Sequence, residues 1–320
     1  MSDINLKEIH DNLVTIAFEA GRMILGANVN SISTDTKLNS VDIVTETDKA
    51  VEKHVTTRLQ TLYPAILFVG EETYVAGETK VTDAPTFIVD PIDGTTNFVH
   101  GFPNACISLG LAIARRPAVG VVYNPFQDLL YTGIKGQGAY VQRNASLAAR
   151  GILKEKEGGE DSGCKKVRLP ASGGGDGNKA PPLGDLSTAL LACEWGSSRD
   201  GPNFDVKADT FRKLAASKET GGSMVHSIRN LGSAALNLCA VAEGSLDVYW
   251  EGGCYAWDVC AGWCILAEAG GLVASGNPGD WEPELDARVY LAVRGAPAGQ
   301  REIVEEFWGV IGDGRMEYTH

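Results

Sequence analysis

Apolar residues recur three and four positions apart in two segments near the start of the chain. This spacing places them on one face of a helix, and it predicts a helix over residues 4–25 and a second over residues 48–62. The hydroxyl of Thr45 or Thr47 can cap the second helix, and Pro64 ends it. Each helix has one apolar face, so another layer of the fold must cover it.

After the second helix, the pattern changes to short runs rich in β-branched and aromatic residues. The runs cover residues 66–69, 87–89, 106–113, 119–123, 129–132 and 139–141. Turn residues separate them, which predicts hairpins and an antiparallel sheet.

The periodicity is lost over residues 143–185, which are rich in Gly, Lys, Glu, Asp, Ser and Pro. We expect a loop-rich, exposed insertion there, with one short strand near residues 167–169. Beyond it, strands are predicted over 189–194 and 246–250, followed later by two short ones, and helices over 205–216, 231–242, 257–269 and 300–310. This alternation favours a layered α/β lobe. The predicted organisation is an N-terminal α+β lobe (1–142), the insertion (143–185) and a C-terminal α/β lobe (186–320).

The charge of the chain narrows the choice of ligand. The 320 residues carry a formal net charge of −13, which disfavours binding to nucleic acid or to an anionic membrane. The longest apolar runs, such as residues 105–114, fall short of the roughly 20 residues needed to cross a bilayer. The first residues also lack a secretory signal, so we expect a cytoplasmic protein. If it binds a phosphate ester, bound cations or helix N-termini must supply the positive charge.

One segment offers both of these positive elements. Asp90 and Asp93 follow a predicted strand, and Pro91 between them stiffens the turn, so both carboxylates can face one hard cation. Gly94 lets the backbone approach a ligand, and Thr95 with Thr96 can open a helix whose free N–H groups receive a phosphate. The alternative is an ordinary polar turn, because Asp, Pro and Gly are common turn residues.

Two further acidic groups lie at the ends of predicted elements. Glu71 and Glu72 follow the strand over 66–69, although such a pair is often only solvated surface. Glu251 and Asp258 flank a glycine pair, and Asp258 opens an apolar helix, where it could serve simply as a first-turn charge.

Taken together, these motifs closely resemble the inositol monophosphatase family. The resemblance rests on residues 70–72, residues 90–98, and Trp257-Asp258 followed by residues 267–271, in that order along the chain. Residues 44–48 and 196–199 also resemble family elements. The insertion at 143–185 is longer than the family pattern leads us to expect. The resemblance implies a layered α-β-α-β-α sandwich, a homodimer, lithium sensitivity and two or three Mg²⁺ ions.

The resemblance also implies a role for each matching residue. Glu71, Asp90 and the carbonyl of Ile92 would hold the first magnesium, and Asp90, Asp93 and Asp258 the second. Thr95, tied to Asp48, would help Glu71 to activate a water molecule. The groups implied to contact the substrate are Asp93, Gly94, Thr95, Thr96, Ser197, Gly232, Ser233, Ala234, Glu251 and Asp258. A dianionic ester repels an attacking oxygen, so cations beside it are physically required.

The predicted function is therefore Mg²⁺-dependent hydrolysis of a small polyol phosphate, foremost inositol monophosphate. One alternative is a phosphatase of the same superfamily that acts on a sugar bisphosphate or a nucleotide 3′-phosphate, since these enzymes share the metal motifs. Others are a non-catalytic regulatory relative and a fungal protein linked to quinate metabolism.

Overall fold

Two long helices open the fold, as the apolar faces predict. The computed structural model describes residues 4–27, 34–36, 43–153, 164–171 and 180–318. In it, α1 spans Leu6–Gly26 and α2 spans Glu46–Leu62. The strands β1 (Thr34–Thr36) and β2 (Ile43–Thr45) lie between the two helices and pair antiparallel. Of the two predicted caps for α2, the structure uses Thr45.

The larger of the two main sheets has seven strands, and their spatial order follows the chain. Its strands are β3 (Leu67–Gly70), β4 (Thr86–Asp93), β5 (Cys106–Ile113), β6 (Arg116–Asn124), β7 (Leu129–Ile134), β8 (Gly138–Arg143) and β9 (Lys166–Arg168). The short helix α3 (Thr95–Val99) follows β4. The antiparallel prediction is correct except at one edge, where β3 and β4 pair parallel. There the connection over residues 71–85 is long enough to return the chain to the same end of the sheet.

The predicted insertion begins with a helix that the sequence analysis missed. α4 (Ala145–Ala149) follows β8 directly, and Asp128 accepts hydrogen bonds from the backbone N–H (2.8 Å) and the hydroxyl (2.9 Å) of Ser146. Five residues are too few to show a helical period in sequence. The predicted strand near residues 167–169 corresponds to β9. The rest of the insertion, residues 154–163 and 172–179, lies outside the described part of the chain.

The smaller sheet has five strands and is mixed. Its strands are β10 (Leu190–Cys193), β11 (Ser227–Arg229), β12 (Val248–Gly252), β13 (Leu272–Ser275) and β14 (Val289–Val293), in the spatial order β11-β10-β12-β14-β13. The helices that accompany it are α5 (Gly201–Ala215), α6 (Ala234–Glu243), α7 (Ala256–Glu268) and α8 (Gln300–Ile311), with short 3₁₀ turns at Leu186–Thr188 and Lys218–Thr220. The strand β11 was not predicted. α6 begins three residues later than expected because Ser233 caps it, accepting the N–H of Leu236 at 3.2 Å.

The elements stack in five layers. On β4, Phe87 and Val89 pack against α1 and α2, whereas Ile88 points to the opposite face, toward α6 and α7. The helices α6 and α7 lie between the two sheets, and α5 and α8 cover the outer face of the smaller sheet. The predicted α-β-α-β-α sandwich is therefore confirmed. The division into domains stays a prediction. Within the described residues, none of the helices has the length and apolar character needed to span a membrane.

A row of glycines brings α7 close to the larger sheet. Gly110, Gly120 and Gly133 are cross-strand neighbours on β5, β6 and β7. A Cβ atom at Gly120 would lie 2.2 Å from the carbonyl oxygen of Ala261, and one at Gly110 would lie 2.6 Å from the sulfur of Cys260. Only glycine leaves room for this approach, which brings the first turn of α7 to the end of β4.

Candidate active site

Three carboxylates meet where β4 and α7 come together. Oxygens of Asp90, Asp93 and Asp258 all lie within 4.8 Å of one another. The pairing of β4 with β5 shifts register between Asp90 and Asp93, around Pro91, which has no N–H to donate to the sheet. Asp258 lies in the first turn of α7, where it accepts the N–H of Tyr255 at 2.6 Å. Asp258 thus caps its helix and also contributes to the cluster.

Asp90 and Asp93 are buried, Asp258 is half-buried, and without a cation the three carboxylates repel one another. Burial raises the pKa of Asp90 well above its usual value, and the charges of Glu71, Asp93 and Asp258 raise it further. Burial raises the pKa of Asp258 well above its usual value in the same way. The pKa of Asp93 is raised to about 6, again chiefly by burial. Buried carboxylates without counter-charge are costly, and an oxygen-only donor set suits Mg²⁺. The residues present therefore fit a divalent cation.

Glu71 lies beside this cluster but is not one of its three members. Its N–H donates to the carbonyl of Val89 at 3.2 Å, which fixes the end of β3 against β4. The buried side chain of Glu52, which the sequence analysis missed, accepts the N–H of Glu72 at 2.7 Å. Gly70 has no room for a side chain, since a Cβ there would lie 2.5 Å from a Glu52 oxygen. The Gly70-Glu71-Glu72 turn is thus held by a carboxylate of α2.

Thr95 and Asp48 are in contact, as the family resemblance implied. The Thr95 hydroxyl lies 3.2 Å from Asp48 and 3.0 Å from the carbonyl oxygen of Ile92. Asp48 also accepts the N–H of Thr45 at 3.0 Å and the hydroxyl of the same residue. Burial raises the pKa of Asp48 to about 6, and the charge of Glu71 adds to the shift. The Ile92 carbonyl has a second lone pair, so a bond from Thr95 leaves it able to bind a cation.

The turn between β4 and α3 depends on Gly94. Its φ of +92° favours glycine, and a Cβ there would lie 2.9 Å from the carbonyl oxygen of Asn104 and 3.0 Å from that of Gly232. Asn97 donates to the carbonyls of Asn104 (2.8 Å) and Leu231 (2.7 Å). These contacts fasten the start of α3 to the loop before α6. Thr96 lies exposed in the first turn of α3.

The N-terminus of α6 is directed at Asp93. That carboxylate accepts the hydroxyl of Ser233 at 2.6 Å and the backbone N–H groups of Ala235 at 2.7 Å and Ala234 at 3.3 Å. Ser233 and Ala234 are both buried, and the hydroxyl of the first and the N–H of the second bind Asp93. Their predicted place on the substrate side stays a prediction. Since a helix N-terminus stabilises negative charge, α6 favours the ionised form of this carboxylate.

A second buried carboxylate, Glu194, holds the loop before α6 and was missed in the sequence. Its oxygen accepts the N–H groups of Leu231 (2.7 Å) and Gly232 (3.0 Å) and the side-chain amide of Asn237 (2.8 Å). In sequence, Glu194 is only the last residue of a predicted strand. No local pattern marks partners that are about forty positions away.

Glu251 lies at the end of β12 next to a buried lysine. Tyr249 donates its hydroxyl to Glu251, and the ammonium group of Lys207 donates to the carbonyls of Trp195 (2.8 Å) and Gly252 (2.7 Å). Burial raises the pKa of Glu251 to about 7, the charge of Glu194 adds to the shift, and that of Lys207 opposes it. Lys207 thus links the segment that contains Glu251 to the loop that contains Ser197.

Comparison with known proteins agrees with this architecture. The model of the inositol monophosphatase family matches residues 5–311. Inositol monophosphatase 2 of Saccharomyces cerevisiae is 46% identical over 91% of this chain and 90% of that protein. Inositol monophosphatase 1 of the same yeast is 42% identical over 98% and 99%. The solved inositol monophosphatase structure from Anabaena superposes with a TM-score of 0.66 at 26% identity, covering 96% of both chains.

The chain therefore belongs to the inositol monophosphatase family. Membership confirms the prediction from the sequence motifs, and with it the prediction of a phosphoric monoester hydrolase.

Proposed function

We propose that this protein hydrolyses inositol monophosphate to inositol and phosphate in the presence of Mg²⁺. The observation that carries the proposal is the cluster of Asp90, Asp93 and Asp258 beside the Gly94–Thr95 turn. The names of the yeast relatives support inositol monophosphate as the substrate.

Two or three Mg²⁺ ions are proposed at the cluster. Glu71, Asp90 and the Ile92 carbonyl would hold one, and Asp90, Asp93 and Asp258 another. When bound, the ions would offset the charge of the ester and lower the pKa of a water molecule. The hydrogen bonds from α6 fix the orientation of Asp93, so its oxygens need little reorganisation to bind a cation.

The reacting oxygen needs a proton acceptor and a group that orients it. We assign Glu71 as the acceptor, because it lies at the edge of the cluster and is partly exposed. Thr95 orients the attacking oxygen through its hydroxyl, whose own proton is directed toward Asp48 and the Ile92 carbonyl. The N–H groups of Gly94 and Thr95 are proposed to receive the phosphoryl oxygens.

The alcohol part of the substrate is assigned to the side formed by Glu251, Ser197 and the loop that contains Gly232. A carboxylate there can accept hydrogen bonds from the polyol hydroxyls. Homodimerisation, lithium inhibition and a cytoplasmic location stay predictions that rest on the family resemblance or on sequence composition.

A phosphate-release assay tests the proposal. The purified protein is given inositol monophosphates, sugar bisphosphates and nucleotide 3′-phosphates, each with Mg²⁺ and with a chelator. We expect Mg²⁺-dependent release that is fastest from an inositol monophosphate. Preference for a bisphosphate or a nucleotide would refute the substrate assignment, and the absence of release from every ester would refute the enzymatic function.

A further inference from the structure

An aromatic ring docks the loop between β3 and β4 on the start of α7. Residues 73 and 75–78 of this loop are exposed, whereas Tyr74 is half-buried. Its ring centre lies 4.9 Å from that of Trp257 and 5.5 Å from that of Tyr255, at interplanar angles of 60° and 57°. Tilted aromatic pairs of this kind attract each other beyond the effect of the area that they bury. Tyr74 therefore joins the loop to the N-terminal turn of α7.

The surface that receives Tyr74 is itself held in place. The rings of Tyr255 and Trp257 stack at 4.4 Å with an interplanar angle of 10°, and Trp257 is buried. The guanidinium carbon of Arg288 lies 3.5 Å from the centre of the Tyr255 ring. The N–H of Tyr255 donates to Asp258 at 2.6 Å. The anchor for the loop is thus the same turn that supplies a carboxylate to the cluster.

The docked ring limits the freedom of Glu71, which lies three residues before Tyr74. On the other side, the chain is fixed by two hydrogen bonds, from the N–H of Glu71 to the carbonyl of Val89 (3.2 Å) and from the N–H of Glu72 to the side chain of Glu52 (2.7 Å). Without the ring, the loop after Glu72 would lose its contact with α7. The Glu71 carboxylate would then gain freedom that the binding of a cation must remove again.

We propose that Tyr74 is a positioning residue that holds Glu71 in the place where it binds Mg²⁺. The inference rests on the proposed function, which assigns Glu71 to one of the ions. The ring makes the contacts with α7, so Tyr74→Phe should preserve the effect and Tyr74→Ala should remove it.

The test measures Mg²⁺ binding without turnover. Mg²⁺ alone is added to the metal-free, full-length protein, and the rise in melting temperature with its concentration gives an apparent dissociation constant. We expect this constant to be about tenfold higher in Tyr74→Ala, the lower end of the range for groups that orient metal ligands. Tyr74→Phe should match the unsubstituted protein. Val75→Ala, at an exposed neighbour in the same loop, is the matched control and should also match it.

A double-mutant cycle separates positioning from a general loss of stability. If Tyr74 acts through Glu71, Tyr74→Ala should not raise the dissociation constant further in a protein that already carries Glu71→Gln. A purely structural role would lower the melting temperature in chelator and leave the dissociation constant unchanged. That result, an equal rise in Tyr74→Phe, or additive effects in the double variant would overturn the inference.

The inference and the proposed function can fail separately. If the unsubstituted protein binds Mg²⁺ but releases no phosphate from any ester, the proposed function fails, and the same titrations still decide the role of Tyr74. If Mg²⁺ does not raise the melting temperature of the unsubstituted protein, the proposed metal site and the role of Tyr74 fail together.

Discussion

Replacing Asp90 by asparagine should stabilise the protein when no metal is bound. Asp90 is 2% exposed, and three neighbouring carboxylates raise its pKa in addition to burial. Asparagine has nearly the same shape, can still accept the Ile92 N–H that Asp90 accepts at 2.9 Å, and carries no charge. The substitution therefore removes a buried, repelled charge and preserves the local packing.

A buried polar group left without compensation costs about 1–3 kcal/mol, and more when it is charged, so we take about 3 kcal/mol as the scale of this effect. For a chain of 320 residues, the entropy of unfolding is roughly 0.7 kcal/mol per kelvin, so 3 kcal/mol is about 4 °C in the melting temperature. We expect Asp90→Asn to melt about 4 °C above the unsubstituted protein in a chelator.

Mg²⁺ should reverse the order of stability. A cation that binds only the folded protein stabilises it by about 4.1 kcal/mol at a thousand times its dissociation constant, which exceeds the stability of about 3 kcal/mol that the variant gains, and the variant loses this stabilisation. Differential scanning fluorimetry in chelator and in Mg²⁺ measures both effects, with Glu305→Gln, an exposed carboxyl of α8, as the control. Phosphate release by Asp90→Asn should be almost abolished. A variant that is no more stable than the unsubstituted protein in chelator, or that keeps near-normal turnover, would refute the reasoning.

Three further predictions concern the same site. Thr95→Ala should lower turnover about a hundredfold with little change in melting temperature, whereas Thr95→Ser should keep most of the activity; equal rates in the two variants would contradict the role of the hydroxyl. Gly94→Ala should lower the free energy of unfolding by about 2 kcal/mol and remove most of the activity, because the added Cβ meets two backbone carbonyls at a residue with positive φ. An unchanged midpoint of urea unfolding would contradict this. In chelator, the free energy of unfolding should fall as pH rises through about 6, because the carboxyls of Asp93 and Asp48 hold their protons more tightly in the folded protein than in the unfolded chain. Mg²⁺ should reduce this fall. A free energy of unfolding that does not depend on pH would contradict the prediction.

The sequence predicted the site where its signals were local. Asp90 and Asp93 are three positions apart, and strand, turn and helix signals surround them, so their convergence could be expected. Asp258 was placed by the family resemblance, although its neighbours alone also fitted a simple helix cap. The structure shows that the same carboxylate does both, because capping uses one oxygen and leaves the other available.

The residues that the sequence did not reveal act through contacts distant in the chain. Glu194 binds amides near residue 232, and Glu52 binds the N–H of Glu72, yet neither lies in a recognisable motif. The helix α4 was missed because five residues show no period, and β11 because three residues do not form a distinct run. Such short elements are formed by tertiary contacts, which local propensity does not encode.

Crystals grown with Mn²⁺ in place of Mg²⁺ test the central claim most directly, because Mn²⁺ accepts the same oxygen ligands and gives an anomalous signal. We predict anomalous peaks bound by the carboxylates of Asp90, Asp93 and Asp258, with Glu71 on the adjoining ion. Active protein whose crystals show no peak between these carboxylates, or one bound only elsewhere, would contradict the account.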